Sequence, residues 1–238
     1  MIMSTERRIL IITDIHGCLD ECRKLLAALR FNEEEDVLIN LGDTIDRGPQ
    51  IYETFEFLRG LKERMGDRLV LIRGNHEQMM LDATDKNGPD RKSYKDLWYM
   101  NSGEKTVYSF VNHKHKIQEY REWYESMPFY YQNDRFICVH ASLTDEDPQK
   151  NTAETMIWGR DTSYGGKLVM TGHTPYKSPM YFRGDGAYAV LETGKKYYLE
   201  KTGMMALDTG CVFGYSLTGM AIEGDLFYLE SIKSNVKK

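Results

Sequence analysis

Eight side chains able to hold a metal or move a proton sit just after short runs of aliphatic and β-branched residues. They are Asp14 and His16, Asp43 and Asp46, Asn75 and His76, His140, and His173. One residue separates Asp14 from His16, so both can face one side of an extended chain. The donors mix carboxylate, imidazole and amide oxygen. That mixture suits Mn, Fe or Zn better than Mg or Ca, which prefer all-oxygen shells. One Asp and one His, with a shared Asp, could hold one ion. The shared Asp, an Asn and two His could hold a second. Two ions about 3.5–4 Å apart clamp both the attacking and the leaving oxygen of a phosphoryl displacement. Each pair alone has a plainer explanation, since an Asp-x-His after a strand is commonly a hydrogen-bonded turn. The metal reading comes from their recurrence at successive strand ends. His113 and His115 match no strand end and are expected to be solvated.

The elements that must position these groups follow from periodicity. Residues 8–13, 37–40 and 69–72 read as strands, and residues 19–29, 51–61 and 77–82 as the helices after them. Pro49 is placed near the first turn of the second helix. This order predicts parallel βαβ units, whose carboxyl-end loops are where open α/β sheets place ligands. Residues 86–124 differ. They carry eight Lys or Arg against five Asp or Glu, net +3 in a chain that is net −5, with eight aromatics. Helices are expected at 94–100 and 116–124. The ordinary reading is a helical lobe that packs its aromatics as core, and the alternative is a surface that stacks a single nucleic-acid strand. The remainder reads as β: residues 130–131, 135–139, 168–171, 187–191, 196–199, 204–207, 216–222 and 226–229. Gly194-Lys195 and Glu223-Gly224-Asp225 look like hairpin turns. Without a repeat or a Ser/Pro/Gly-rich linker, the expectation is one α/β domain over residues 1–238 with a helical insert at about 86–126.

Composition narrows the class. The chain has 238 residues with 41% hydrophobic and 28% charged residues, ordinary globular usage. No apolar run approaches the roughly 18 residues of a spanning helix, so no membrane partner is expected. The polar start leads straight into Ile9-Leu10-Ile11-Ile12, too short for a signal peptide, which predicts a cytoplasmic protein. A net charge of −5 argues against a duplex nucleic-acid partner. Cys18, Cys22, Cys138 and Cys211 are too scattered for a disulfide scaffold and are read as reduced thiols.

The motifs then resemble those of the phosphoprotein phosphatases among the calcineurin-like metallophosphoesterases, most closely the branch of bacteriophage and bacterial protein phosphatases. The family's GDxHG stands as Thr13-Asp14-Ile15-His16-Gly17. GDxxDRG stands as Gly42-Asp43-Thr44-Ile45-Asp46-Arg47-Gly48, and RGNHE as Arg73-Gly74-Asn75-His76-Glu77. Later elements are His140-Ala141 and Gly172-His173-Thr174-Pro175. Glu77-Gln78-Met79-Met80, Trp158-Gly159-Arg160 and Asp208-Thr209-Gly210-Cys211-Val212-Phe213 look like the bacterial branch. Thr13 departs from the family's usual Gly but removes no ligand. Ser142 stands where eukaryotic relatives have Gly.

The resemblance covers about residues 8–230. It implies two mixed β-sheets packed as a sandwich and flanked by helices. It implies two divalent ions, Mn foremost, with Fe or Zn as alternatives. Asp14 and His16 would bind the first, Asp43 would bridge, and Asn75, His140 and His173 would bind the second. Asp46 resembles the carboxylate that orients His76, and His76 the general acid. Arg47, Arg73 and Arg160 match phosphate-binding arginines. The implied activity is serine/threonine phosphomonoester hydrolysis by direct attack of a hydroxide held between the ions, on a phosphorylated protein or a small phosphoester. The alternative is hydrolysis of symmetric dinucleoside tetraphosphates, a branch that usually lacks the Asp found here at 46.

Overall fold

The computed structural model describes residues 7–236; the polar opening, residues 1–6, and the last two residues lie outside them. In chain order the strands are β1 (Ile9–Ile12), β2 (Val37–Asn40), β3 (Leu69–Leu71), β4 (Tyr130–Gln132), β5 (Ile137–Val139), β6 (Val169–Thr171), β7 (Met180–Phe182), β8 (Tyr188–Val190), β9 (Lys196–Tyr198), β10 (Met204–Ala206), β11 (Ser216–Glu223) and β12 (Leu226–Lys233). The helices are α1 (Leu19–Ala28), α2 (Ile51–Met65), α3 (Asn75–Thr84), α4 (Arg91–Met100), α5 (Gly103–Asn112), α6 (Arg121–Glu125) and α7 (Ala153–Trp158).

The first three strands pair in parallel through the α1 and α2 crossovers, as their spacing predicts. The sheet they begin is completed by antiparallel strands in the order β3-β2-β1-β11-β12-β9. The second sheet runs β4-β5-β6-β10-β7-β8. Both are mixed, and they pack face to face. Ile11, Ile39 and Met220 from one sheet meet Phe136, Cys138, Met170 and Met205 from the other. The alternate residues, Leu10, Ile12 and Leu38, face the helices instead, in a core with Leu25, Phe55 and Leu58. A strand buried on both faces reads as a continuous apolar run, which is why β1 is Ile-Leu-Ile-Ile. On the far side, Ile137, Val139 and Val169 pack against Met156 and Ile157 of α7. The four cysteines are free and buried. Among the described residues, no helix is long and apolar enough to cross a membrane.

The helix α2 extends past the expected residue 61, because Gly60 is tolerated inside it and Gly66, with φ 56°, ends it. Pro49 lies outside the helix, before the N-cap Gln50. One hairpin expectation fails. The turn at Gly194-Lys195 does not join a strand pair: β8 pairs with β7 in the second sheet, and β9 pairs with β12 in the first. The segment crosses between sheets, and local turn chemistry carries no information about so distant a partner. The Glu223-Gly224-Asp225 turn does join β11 and β12. In the insert, the expected helix 116–124 divides into a 3-10 turn, Ile117–Tyr120, and α6. The unexpected α5 opens from Asn101-Ser102-Gly103, which reads as a turn. Trp98, Phe110 and Tyr124 are buried in the same core as Phe55, so the insert packs its aromatics inward. His113 and His115 stack at the surface on Tyr52, with ring centroids at 4.3 and 5.4 Å.

Candidate metal centre

Loops at six strand ends build the site. Asp14 and His16 follow β1, and Asp43, Asp46 and Arg47 follow β2. Asn75 and His76 open α3 after β3, His140 follows β5, His173 follows β6, and Asp208 follows β10. Six of these residues have left-handed backbone, with φ of 46° at Asp14, 43° at His16, 54° at Asp43, 65° at Asp46, 66° at Arg47 and 64° at His173. Such conformations cost L residues of order 1–3 kcal/mol each and persist only where the surroundings over-determine them.

Two devices hold these loops. The first loop is zipped to the second by backbone bonds: the amides of Asp14, His16 and Gly17 donate to the carbonyls of Gly42, Asp43 and Thr44 at 3.2, 2.9 and 3.1 Å. The second loop is clamped to the third by Glu77. Its carboxylate accepts from the amides of Asp43 at 2.9 Å, Thr44 at 2.7 Å and Gly74 at 2.9 Å, and from the Thr44 hydroxyl at 2.9 Å. Gly74 is required there, because a Cβ would lie 2.6 Å from the Asp43 amide nitrogen.

The histidines expose lone pairs to one another's acceptors. His16 Nδ1 lies 2.6 Å from the Ile45 carbonyl, and His140 Nδ1 lies 2.8 Å from the Leu41 carbonyl. A carbonyl only accepts, so both Nδ1 atoms carry hydrogen and both Nε2 atoms present lone pairs. His140 Nε2 faces Asn75 Oδ1 at 3.0 Å, His173 Nδ1 at 3.2 Å and Asp43 Oδ1 at 3.5 Å. Asn75 Oδ1 is also 3.0 Å from His173 Nδ1. On the other side of Asp43, His16 Nε2 lies 3.5 Å from Oδ2. Burial, then the His76 and Arg47 charges, hold His16 well below the usual imidazole range. Burial and His173 do the same to His140, and burial with Arg160 brings His173 down to about 3. Burial, then Asp208, holds Asp14 well above the usual carboxylate range; burial, then Asp14 and Glu77, does so at Asp43. Neutral imidazoles and mutually repelling buried carboxylates, with acceptors converging on acceptors, fit divalent cations.

Among the described residues, two of the three groups whose ligand atoms all lie within 4.8 Å of one another belong to this cluster: His16, Asp43 and His76, and Asp43, His140 and His173. Asp43 belongs to both. The resemblance pairs Asp14 with His16. Here Asp14 accepts from the Thr13 hydroxyl and, at 3.1 Å, from the His173 amide, which ties the β1 loop to the β6 loop.

His76 Nδ1 lies 2.6 Å from Asp46 Oδ2, while His76 Nε2 is buried without a partner. Burial draws both toward neutrality: the imidazole falls well below its usual range, and the carboxyl rises to about 7 against the opposing bonds of Thr106 and Trp98. Those two bonds come from the insert. Trp98 Nε1 donates to Asp46 Oδ2 at 2.9 Å, and the Thr106 hydroxyl donates to Oδ1. Arg47 reaches the cluster itself, with a guanidinium nitrogen 2.8 Å from His16 Nε2. Arg160 sits at the rim, donating to the Thr174 hydroxyl at 2.8 Å. Arg73 is turned to a groove wall, donating to Gln78 at 3.0 Å and lying over the Phe129 ring at 4.6 Å.

Sequence reasoning gave Asp208 no role, although it follows the strand at 204–207 by the same rule as the others. The structure buries it beside Asp14, its carboxyl raised to about 6 by burial. Trp98 and Thr106 lie inside helices, where no spacing marks them.

Comparison with known proteins agrees with this geometry. The chain is 27% identical over 226 residues to serine/threonine-protein phosphatase 1 of Salmonella typhimurium, covering 89% of this chain and 90% of that one. It is 29% identical over 245 residues to the asymmetrical bis(5'-nucleosyl)-tetraphosphatase PrpE of Bacillus subtilis, covering 88% of each. Among solved structures, a metallophosphoesterase from Sphaerobacter thermophilus shares the fold with a TM-score of 0.63 at 18% identity, over 96% of this chain and 89% of that one. Residues 7–206 match the calcineurin-like phosphoesterase family. That span takes in every strand end of the cluster except the one that delivers Asp208, and the chain belongs to that family.

Proposed function

We propose that this chain is a metal-dependent phosphomonoesterase of the serine/threonine protein phosphatase type. Asp14, His16, Asp43, Asn75, His140 and His173 hold two divalent ions, foremost Mn. When bound, the ions supply an activated water near neutral pH and charge neutralisation at the phosphate. The remaining steps belong to the chain. Arg47 and Arg160 offer guanidinium forks to the phosphate oxygens, which match that geometry bidentately. Arg73 lines the approach, since its contacts lie along the groove wall. His76 presents Nε2 to the leaving oxygen, and Asp46 at Nδ1 holds the ring and favours the charged imidazolium that has a proton to give there.

The observation that carries this reading is the 2.6 Å His76–Asp46 contact with His76 Nε2 left open. A serine or threonine alkoxide is a poor leaving group and needs a proton in the transition state, whereas a nucleotide phosphate departs as a stable anion. A built acid therefore favours alkyl phosphomonoesters. Hydrolysis of dinucleoside tetraphosphates is the second reading, supported by the name of the Bacillus subtilis relative, which matches over 88% of each chain.

The test offers the Mn-reconstituted protein a phosphoserine peptide, a phosphotyrosine peptide and a dinucleoside tetraphosphate side by side. The proposal expects the highest kcat/KM on the phosphoserine peptide. A tetraphosphate turned over well above both peptides would replace it with the second reading.

A further inference from the structure

The helical insert reaches the acid of the catalytic machinery through Asp46. Asp46 is fully buried, and its two carboxylate oxygens are shared among three side chains: His76 from α3, Trp98 from α4 and Thr106 from α5. Thr106 acts twice, because its hydroxyl oxygen also accepts from the Asp46 amide at 3.0 Å. The next residue is held as well: Lys105 Nζ donates to the Arg47 carbonyl at 2.8 Å. Asp46 and Arg47 are consecutive left-handed residues without the freedom of glycine, with φ of 65° and 66°. Successive residues of α5 thus brace the strained backbone, while Trp98 and Thr106 fix the carboxylate it carries.

Trp98 is itself locked. Its ring is 2% exposed, and Gly103 packs so closely on the ring face that a Cβ there would collide with it. The side-chain hydrogen bonds of Trp98 and Thr106 among the described residues go to Asp46, and each meets the metal cluster through it.

We propose that the insert is the brace of the acid, with Trp98 and Thr106 as positioning residues that hold Asp46 on His76. The inference rests on the acid role given to His76 above. Without the brace, Asp46 keeps its carboxylate but loses the bonds that set its rotamer, so His76 Nε2 is less often aimed at the leaving oxygen. The cost falls on substrates whose leaving group needs a proton.

The test measures kcat/KM of metal-loaded, full-length Trp98→Phe and Thr106→Val on a series of aryl phosphates from phenyl to 4-nitrophenyl phosphate. Melting temperature and metal content are followed in parallel. Each variant is expected to lose about 10-fold on phenyl phosphate, part of the 10²–10⁴-fold that general acid catalysis contributes, and under about 2-fold on 4-nitrophenyl phosphate. Thr106→Ser, which keeps the hydroxyl, should restore the wild-type slope. Gly103→Ala, which displaces the Trp98 ring from outside the site, should reproduce Trp98→Phe. In an Asp46→Asn background, Trp98→Phe and Thr106→Val should add less than about 2-fold, because residues acting through a common partner are not additive.

Uniform losses across the series, or full additivity with Asp46→Asn, would overturn the brace while Asp46→Asn and His76→Asn still steepen the slope. If those two variants leave the slope flat as well, the acid reading itself fails, and the brace with it.

Discussion

The metal cluster and the helical insert achieve precision by different means. The cluster is built from many short loops, each anchored at a strand end and tied to its neighbours. Backbone bonds join the β1 and β2 loops, Glu77 joins the β2 and β3 loops, and Asp14 joins the β1 and β6 loops. The insert is anchored by its own aromatic core and reaches the acid through a single carboxylate, that of Asp46. Precision distributed over six loops resists the loss of any one tie. Precision delivered through one residue is lost when that residue goes.

The largest expected effect is at the hub of the cluster. Asp43 alone shares both ligand groups, so Asp43→Asn should empty both metal positions. Metal retention should fall by more than the roughly 100-fold that loss of an outer partner costs, read by elemental analysis after dialysis. Full occupancy in the variant would remove Asp43 as the bridge.

Glu77 sharpens the contrast, because it touches no metal position and still sets two loops. Glu77→Gln keeps the shape and turns one of the two acceptor oxygens into a donor, which then faces two of the four N–H and O–H groups. It should weaken metal affinity about 10–100-fold, measured by titration with Mn. An unchanged affinity would show that the backbone zipper alone holds the loops.

A smaller effect separates the cluster's charges from its contacts. His16, His76, His140 and His173 are held low by burial in the folded chain and are neutral in the unfolded one above about pH 7.5, so above that pH they no longer oppose the carboxylates. Asp14, Asp43 and Asp46 are raised by burial, Asp46 to about 7, so the folded metal-free chain still holds protons that the unfolded chain has released. Its melting temperature should therefore fall between about pH 7.5 and pH 8.5. Mn should stabilise more at the upper end, since it replaces those protons. A metal-free melting temperature that rises across this window would contradict the burial of ionisable carboxylates.

The same contrast governs what the sequence discloses. The cluster was legible because each ligand follows a strand whose burial on both faces writes a plain apolar run, as at Ile9-Leu10-Ile11-Ile12. Asp208 obeyed that rule after residues 204–207 and could have been found by it. The pairing of Asp14 with the His173 amide was not legible, since it joins positions 159 residues apart in different sheets. Nor was the failed hairpin at Gly194-Lys195, where two strands that are neighbours in sequence go to separate sheets. The insert announced its helices and its aromatic core, but not its purpose. Trp98 and Thr106 look like any buried helical residues until Asp46 is seen between them.

The central claim is that His76 is a proton donor held by Asp46, and the leaving-group dependence of His76→Asn tests it most directly. His76 lies beside the ligands, its Nε2 3.9 Å from Asp43 Oδ2, but is not one of the six assigned to the ions, so metal content should match the wild type. Activity should fall by about 10²–10⁴-fold on a phosphoserine peptide and far less on 4-nitrophenyl phosphate, whose leaving group needs no proton. Equal losses on both substrates at unchanged metal content would contradict the account and leave His76 a role in binding the phosphate.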